Sequence, residues 1–301
     1  MTLRAAPLRV AMIGLGDIAR KAYLPVLGAR PDVALSFVTR NPDTLAELGA
    51  AWRVDRLHAD LDAALAQGLE AAFVHAATDA HPDLVRRLLE AGVPTLVDKP
   101  IADNAAESEA LVDLAETRGV SLMVGFNRRH APAYLEAAAL GLPLVVMQKN
   151  RAGPSDPLRR AVFDDYIHVV DTLRFMAPGA AQTGVSGAVS EGRLQHVILR
   201  LWGGGQEALG IMNRESGANE ETLEVSGGGR KRRIIDLDQV IDQDKTEALT
   251  RRGNWTSVGR QRGFEAMCET FLDAVREGRR LSALDALETH RQCERVVAEL
   301  I

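Results

Sequence analysis

The chain reads as an α/β protein, with an N-terminal doubly wound domain followed by an α+β domain built on a largely antiparallel open sheet. Three observations predict this. Apolar, β-favouring runs alternate with helical spacing through residue 125, the pattern of a parallel sheet with helices on both faces. From about residue 126 strand-like segments follow one another across glycine turns, at residues 203–205 and 227–229, as antiparallel strands do. Finally, 301 residues suit two cores better than one. The expected domains are residues 1–125 and 126–301.

Bulk composition narrows the function classes. The chain is 46% hydrophobic and 26% charged, with a formal net charge of −5. That balance argues against a nucleic-acid or anionic-membrane partner. No apolar run approaches the length of a membrane span, and the chain reads as cytoplasmic. Cys268 and Cys293 lie in helical-looking sequence without metal-ligand spacing, so buried free thiols are expected and a metal site is not.

In the first half, the run Val10 to Ile13 stops at glycines and gives way to helical spacing at Ile18, Ala22, Leu24 and Leu27. Gly14-x-Gly16-x-x-Ala19 sits at that joint. Gly14 permits a tight turn, Gly16 lets backbone N–H groups approach a pyrophosphate, and Ala19 allows close helix–strand packing. A phosphate there would meet the positive end of a helix dipole, so the domain is read as a dinucleotide-binding Rossmann domain with Asp17 and Ile18 beside the phosphates. Val33 to Val38 is the second strand, and its tip reads Thr39-Arg40-Asn41 with no carboxylate to hold a ribose 2′-hydroxyl. Arg40 suits a 2′-phosphate instead, so NADP(H) is the expected cofactor and NAD(H) the alternative.

Pro42 opens a helix reaching Ala51, and the strand candidate Leu57-His58 precedes a helix over 61–69. The run from Ala71 to Thr78 is apolar almost throughout, as a parallel strand covered on both faces should be. Strands over 93–97 and 120–125 flank a helix over 105–118. Ligands gather beyond the carboxyl ends of such strands. Ala76, Thr78, His81, Asp98, Lys99 and Asn127 lie at or just after those ends and complete the cofactor-facing set. Lys99, between an apolar strand and Pro100, is held by stiff backbone and can offer its ammonium to a substrate hydroxyl.

The second half offers strands over 144–149, 194–202, 206–212, 223–226 and 231–235. A helix over about 164–176 interrupts them, and helices over 263–277 and 283–300 close the chain. Residues 243–256, charged and aperiodic, read as a mobile loop from which Trp255 reaches towards the site. If residues 164–171 are helical, Asp164 and His168 share a face. His168 is then the general base and Asp164 its orienting carboxylate, with Asp165 as the competing partner. Arg128, Arg129, Lys149 and Arg151 suit a carboxylate or phosphate on the substrate.

Gly14-x-Gly16-x-x-Ala19, Asp98-Lys99-Pro100 and Asp164-x-x-x-His168-x-x-Asp171 occur in the order seen in the Gfo/Idh/MocA family, which the chain resembles over essentially its whole length. It looks closest to the MviM branch, by Gly125-Phe-Asn-Arg-Arg-His-Ala-Pro132, the segment 164–172 and Gln261-Arg-Gly-Phe264. The resemblance implies an NAD(P)-dependent oxidoreductase acting on a sugar-, inositol- or sugar-acid-like substrate, with Lys99, Asp164 and His168 catalytic. It also implies a homodimer or homotetramer formed through the open sheet. Two positions depart from the family pattern: Asp98 replaces a glutamate, and Tyr166 replaces a glycine and puts a phenol next to the site. Redox-neutral glycoside chemistry on the same cofactor is the alternative, and a non-catalytic cofactor-binding sensor or scaffold is a third reading.

Overall fold

The structure, a computed structural model, describes residues 6–301. It divides into two compact units. One holds the chain up to Ala102, Ala106–Gly125 and Phe264–Leu287; the other holds Asp103–Ala105, Phe126–Gly263 and Glu288–Ile301.

The first unit runs β1 (Leu8–Ile13), a π-helical turn (Ala19–Tyr23) continuing into α1 (Leu24–Leu27), β2 (Val33–Val38), α2 (Pro42–Trp52), β3 (Arg56–His58) and α3 (Leu61–Leu65). It continues with β4 (Ala71–Val74), α4 (His81–Glu90), β5 (Thr95–Val97), α5 (Ala105–Arg118) and β6 (Leu122–Val124). The six strands are parallel in the order β3-β2-β1-β4-β5-β6. The order reverses between β1 and β4, which places the switch point at the glycine turn after β1. Local rules explain the elements. β4 is buried along its whole length, so it shows no alternation. The Asn41 side chain caps α2 by accepting the N–H groups of Asp43 and Thr44, with Pro42 at the first helical position.

Residues 264–287 join this first unit, although the sequence boundary at 125 had put them in the second domain. Phe264, Met267, Cys268, Phe271 and Leu272 all turn into the core that Tyr23, Phe37, Phe73 and Leu96 share. Both cysteines are free and buried.

The second unit contains α6 (Pro132–Ala139), β7 (Leu144–Asn150), α7 (Leu158–Arg160) and a second π-helical turn (Ala161–Tyr166) that continues into α8 (Ile167–Met176). Then come β8 (Gln182–Ser190), β9 (Arg193–Gly203), β10 (Gln206–Asn213), β11 (Glu220–Gly227), β12 (Arg230–Ile235), β13 (Gln239–Asp244), β14 (Thr246–Arg251) and α9 (Val258–Gln261). Two further helices, α10 (Phe264–Arg276) and α11 (Leu284–Leu300), end the chain. The eight strands run β14-β13-β12-β11-β7-β10-β9-β8, antiparallel except where β7 meets β10. Val145, Met147, Ala208, Met212, Leu223 and Val225 are buried on one face of this sheet, whereas Ile198 and Arg200 on the other are exposed.

Helix α8 lies on the buried face where Gly210 allows it. A Cβ at that glycine would stand 2.5 Å from Val169 Cγ1 and 2.8 Å from Leu173 Cδ1. The expected loop over 243–256 is corrected over part of its length: Thr246–Arg251 is β14, an edge strand paired with β13. Every residue of it is exposed, so it carries no apolar face for periodicity to detect. Trp255, beyond it, is fully exposed.

Candidate active site

In the first unit the loop after β1 is built as the glycine pattern demands. The Gly14 N–H donates to Val38 O at 2.9 Å. Gly14 has φ +82°, and a Cβ there would lie 2.5 Å from the backbone nitrogen of Ala76. This glycine is required by the fold itself. Gly16 is different: nothing lies within 4 Å of where its Cβ would be, so packing does not explain it. Room at Gly16, next to the N–H groups of the following helical turn, fits a pyrophosphate. The Arg20 Nε closes the loop by donating to Leu15 O at 3.1 Å, while its guanidinium pairs with Glu47 on α2. Asp17 and Ile18 are exposed on the first turn and Ala19 is buried beneath them. At the tip of β2 the Thr39 N–H donates to His58 O, and Arg40 stands exposed without an ion pair among the described residues.

The loops after β4 and β5 are tied together. His81, expected to face the cofactor, is 2% exposed, with Nε2 at 2.9 Å from Ala76 O and Nδ1 at 2.8 Å from Pro100 O. Its ring stands between the two loops, Lys99-Pro100 included, and as a neutral imidazole donates to one of these two carbonyls. Thr78 opens a short 3-10 turn before α4, and Lys99 follows β5 in a half-buried position. The Tyr23 hydroxyl donates to Asp98 Oδ1 at 2.8 Å. Burial pushes the Asp98 carboxyl up, partly opposed by the Lys99 ammonium and the Tyr23 hydrogen bond. A Cβ on Gly125 would stand 2.7 Å from the Tyr23 hydroxyl and 3.0 Å from Asp98 Oδ1. Asp98 is a methylene shorter than a glutamate, and Tyr23 reaches it across space that a glycine keeps free.

In the second unit most of the expected substrate-facing groups turn inward. Arg128 is buried, with Nε and Nη2 donating to the two carboxylate oxygens of Glu221 at 2.7 and 2.5 Å; the Tyr134 hydroxyl adds a third donor at 3.1 Å. Burial alone would raise Glu221, but the Arg128 guanidinium holds it down at about 2. Arg129 forks onto Asp171 at 2.6–3.0 Å. Lys149 is 2% exposed, its Nζ 2.6 Å from Asp165 Oδ1. Tyr166 is fully buried and donates to Gly210 O at 2.7 Å, so the expected phenol beside the site points into the sheet instead. Asn127 is buried, and its Nδ2 donates to Arg262 O at 2.8 Å. The reason is common to all of them: each found an acid or carbonyl far along the chain. Among these substrate-facing candidates Arg151 retains the largest exposed share of its side chain, one third.

Asp164 and His168 lie on one continuous helical stretch, π-helical up to Tyr166 and α-helical after it. Asp164 is partly exposed, 3.4 Å from Arg160. Asp165 is taken by Arg151, Lys149 and Arg214 at 2.6–2.8 Å, and Arg214 also reaches Asp156. Burial would raise the Asp165 carboxyl; the Lys149 and Arg151 cations instead hold it far below the usual carboxylate range. Sequence reasoning had no signal for Arg214 or Glu221, whose partners lie tens of residues away.

The glycine turn after β1 stands at the switch point of the parallel sheet, where open α/β sheets bind their ligands. A model described as "Oxidoreductase family, NAD-binding Rossmann fold" matches residues 8–126, and one described as "YceM-like, C-terminal domain" matches residues 132–245. YceM of Salmonella typhimurium, named as an oxidoreductase, is 33% identical over 89% of both chains. Myo-inositol dehydrogenase Hyg17 of Streptomyces leeuwenhoekii is 36% identical over 56% of this chain and 55% of its own. Among solved structures, a Gfo/Idh/MocA family oxidoreductase from Vibrio cholerae superposes with a TM-score of 0.91 at 33% identity, covering 97% of each chain. A dehydrogenase (MviM) from Clostridium difficile does so with 0.88 at 27%, covering 97% and 98%. The chain belongs to the Gfo/Idh/MocA family of NAD(P)-dependent oxidoreductases. No helix among the described residues is long and apolar enough to cross a membrane.

Proposed function

We propose that this oxidoreductase transfers hydride between NADP(H) and a secondary alcohol or carbonyl of a small polyol, of the sugar, inositol or sugar-acid class. The observation that carries the reading is the open space at Gly16, where no protein atom lies within 4 Å of a Cβ position, together with a strand tip that offers Arg40 and no carboxylate. Relatives named as inositol dehydrogenases support the substrate class.

When bound, the nicotinamide supplies the hydride donor or acceptor. Gly14, Gly16, Asp17, Ile18 and Ala19 would hold the pyrophosphate, and Thr39 and Arg40 the adenosine end. An imidazole nitrogen of His168 takes the substrate's hydroxyl proton in oxidation and returns it in reduction. Asp164 orients that ring and stabilises its charged form; Asp165 is already saturated by cations and is set aside for this role. The Lys99 ammonium stabilises the developing alkoxide. The half-exposed face of the second sheet, with Leu144 and Ile198 showing, suits self-association into a dimer or tetramer. A cytoplasmic location accompanies this reading.

Calorimetric titration with NADPH and NADH, before and after Arg40→Ala, tests the cofactor preference. Native protein should prefer NADPH, and the variant should lose about tenfold of that preference, the size of one charge-assisted contact. Equal binding of both nucleotides by the native protein would remove the preference. Turnover on a panel of sugars, inositols and sugar acids should vanish in Lys99→Met and His168→Gln while nucleotide affinity is retained. Loss of nucleotide binding in both variants would overturn the role assignment.

A further inference from the structure

Asp165 stands inside the π-helical turn that leads to His168, and three cations converge on it from the ends of two neighbouring strands. Lys149 lies one residue before the end of β7, Arg151 follows that strand, and Arg214 follows β10; the Arg151 N–H donates to Asn213 O, which locks those strand ends together. Arg151 grips the carboxylate with Nε and Nη2 at 2.7 and 2.9 Å, and Arg214 Nη1 adds 2.8 Å. Lys149 Nζ sits 2.6 Å from Oδ1 and 3.4 Å from the backbone carbonyl of the same residue, so the turn is held by main chain as well as side chain.

We propose that Asp165 is a positioning residue. Bracketed by Lys149, Arg151 and Arg214, it fixes the π-helical turn and thereby the direction in which His168 leaves α8. The inference rests on the reading of His168 as the base. A π-helical turn gives up the favourable i→i+4 spacing and persists where something outside the helix restrains it. Here two adjacent residues do so in different directions. Asp165 is tied to the strand ends, and Tyr166 is tied through its hydroxyl to Gly210 O in the middle of β10. Two anchors about a quarter-turn apart fix rotation as well as translation, which one anchor cannot do. His168 follows within one turn. It lies in α8, which is α-helical from Ile167, and its carbonyl accepts the Thr172 hydroxyl at 2.7 Å.

The same cations have a competing use as a receptor for an anionic substrate, and their burial argues against it. Lys149 and Arg214 have 2% and 9% of their side chains exposed, and both are bonded to Asp165. The groups around Lys149 are Asp165 from the turn, Glu221 from β11, Arg128 from the segment after β6 and Arg151 just past its own strand. Burial and then Arg128 bring its ammonium down to about 7, against the pull of Asp165 and Glu221.

The test needs no substrate. Full-length protein carrying [15N]histidine has seven imidazoles, and His168→Gln assigns the relevant one. Asp165→Asn and Arg151→Gln are compared with the native chain, with nucleotide affinity and circular dichroism confirming the fold. Charge alone would move the His168 titration midpoint in opposite directions in the two variants, because one removes an anion and the other a cation. Loss of positioning acts the same way in both. The His168 tautomer ratio should relax towards that of free imidazole, and amide exchange over 161–168 should quicken about tenfold. If Asp165→Asn does not fold, Arg151→Gln decides alone. An unchanged tautomer ratio and unchanged exchange in a folded variant would overturn the proposal. The base assignment fails separately: it falls if His168→Gln still turns over a panel substrate, whatever the spectra of the other variants show.

Discussion

The two π-helical turns, Ala19–Tyr23 and Ala161–Tyr166, are restrained by different physics. Each runs directly into an α-helix, and each ends on a buried tyrosine whose hydroxyl donates: Tyr23 to Asp98, Tyr166 to Gly210 O. Around Tyr23 the restraint is aromatic. His75 lies 3.9 Å away ring to ring, and Phe264 and Phe73 pack edge-on at 5.2 and 6.3 Å. Around Tyr166 the turn is held one residue earlier, by the charges on Asp165. Apolar restraint is diffuse and survives the loss of any one contact in part. A carboxylate shared by three cations is concentrated, and its loss strands all three.

The comparison breaks most sharply at Asp165. Asp165→Ala should cost about 3 kcal/mol in denaturant unfolding, the lower end for a broken buried pair because Asp165 keeps some exposure. A loss within about 0.5 kcal/mol would place these pairs with ordinary surface bridges.

The tyrosines sharpen it further. Tyr23→Phe leaves the Asp98 carboxyl without its donor and should cost about 1–3 kcal/mol, whereas Tyr166→Phe removes a neutral bond to a carbonyl and should cost about 1 kcal/mol. Denaturant midpoints of the two variants give the ranking, and a reversal would mean that the Tyr166 hydroxyl carries more of its turn than the Tyr23 hydroxyl does.

A smaller effect separates the units by pH. Burial, then the nearby His81, pushes His75 down to about 3, and neither of its ring nitrogens has a hydrogen-bond partner among the described residues. A histidine kept neutral in the fold contributes stability that is complete above its unfolded value near 6.5 and is lost as pH falls towards 3. Glu221 is held at about 2, so its contribution is complete above about 4.5 and fades only below that. His130 in the second unit, pushed down to about 4 by burial and then by Arg129, loses its contribution from the same upper pH, so acid should weaken both units below about pH 6.5 and the first more deeply. His75→Leu should shrink the loss of melting temperature between about pH 6.5 and pH 3 and leave the His130 share in place. An unchanged loss would locate the acid-sensitive group elsewhere.

Much of the first unit was readable from residue order alone. Gly14 demands a left-handed backbone, the run at Ala71–Val74 shows no alternation, and Asn41-Pro42 announces a helix start; each signal is local, so it survives without the fold. The second unit was readable where a strand has one buried face, as β7, β9 and β10 do. It was not readable at β8, whose Gly184, Gly187 and Ala188 carry no apolar pattern, nor at β14, which is exposed throughout.

Sequence by itself determined the class of protein, through the glycine turn, the lysine after the fifth strand and the Asp164–His168 spacing. Only the tertiary structure decided which charged groups remain for chemistry. Arg128 is neutralised 93 residues away by Glu221, Arg129 is neutralised 42 away by Asp171, and Lys149 meets Asp165 across two elements. An ion pair depends on a distance of a few ångströms in space. No spacing along the chain encodes that distance until the strands have paired.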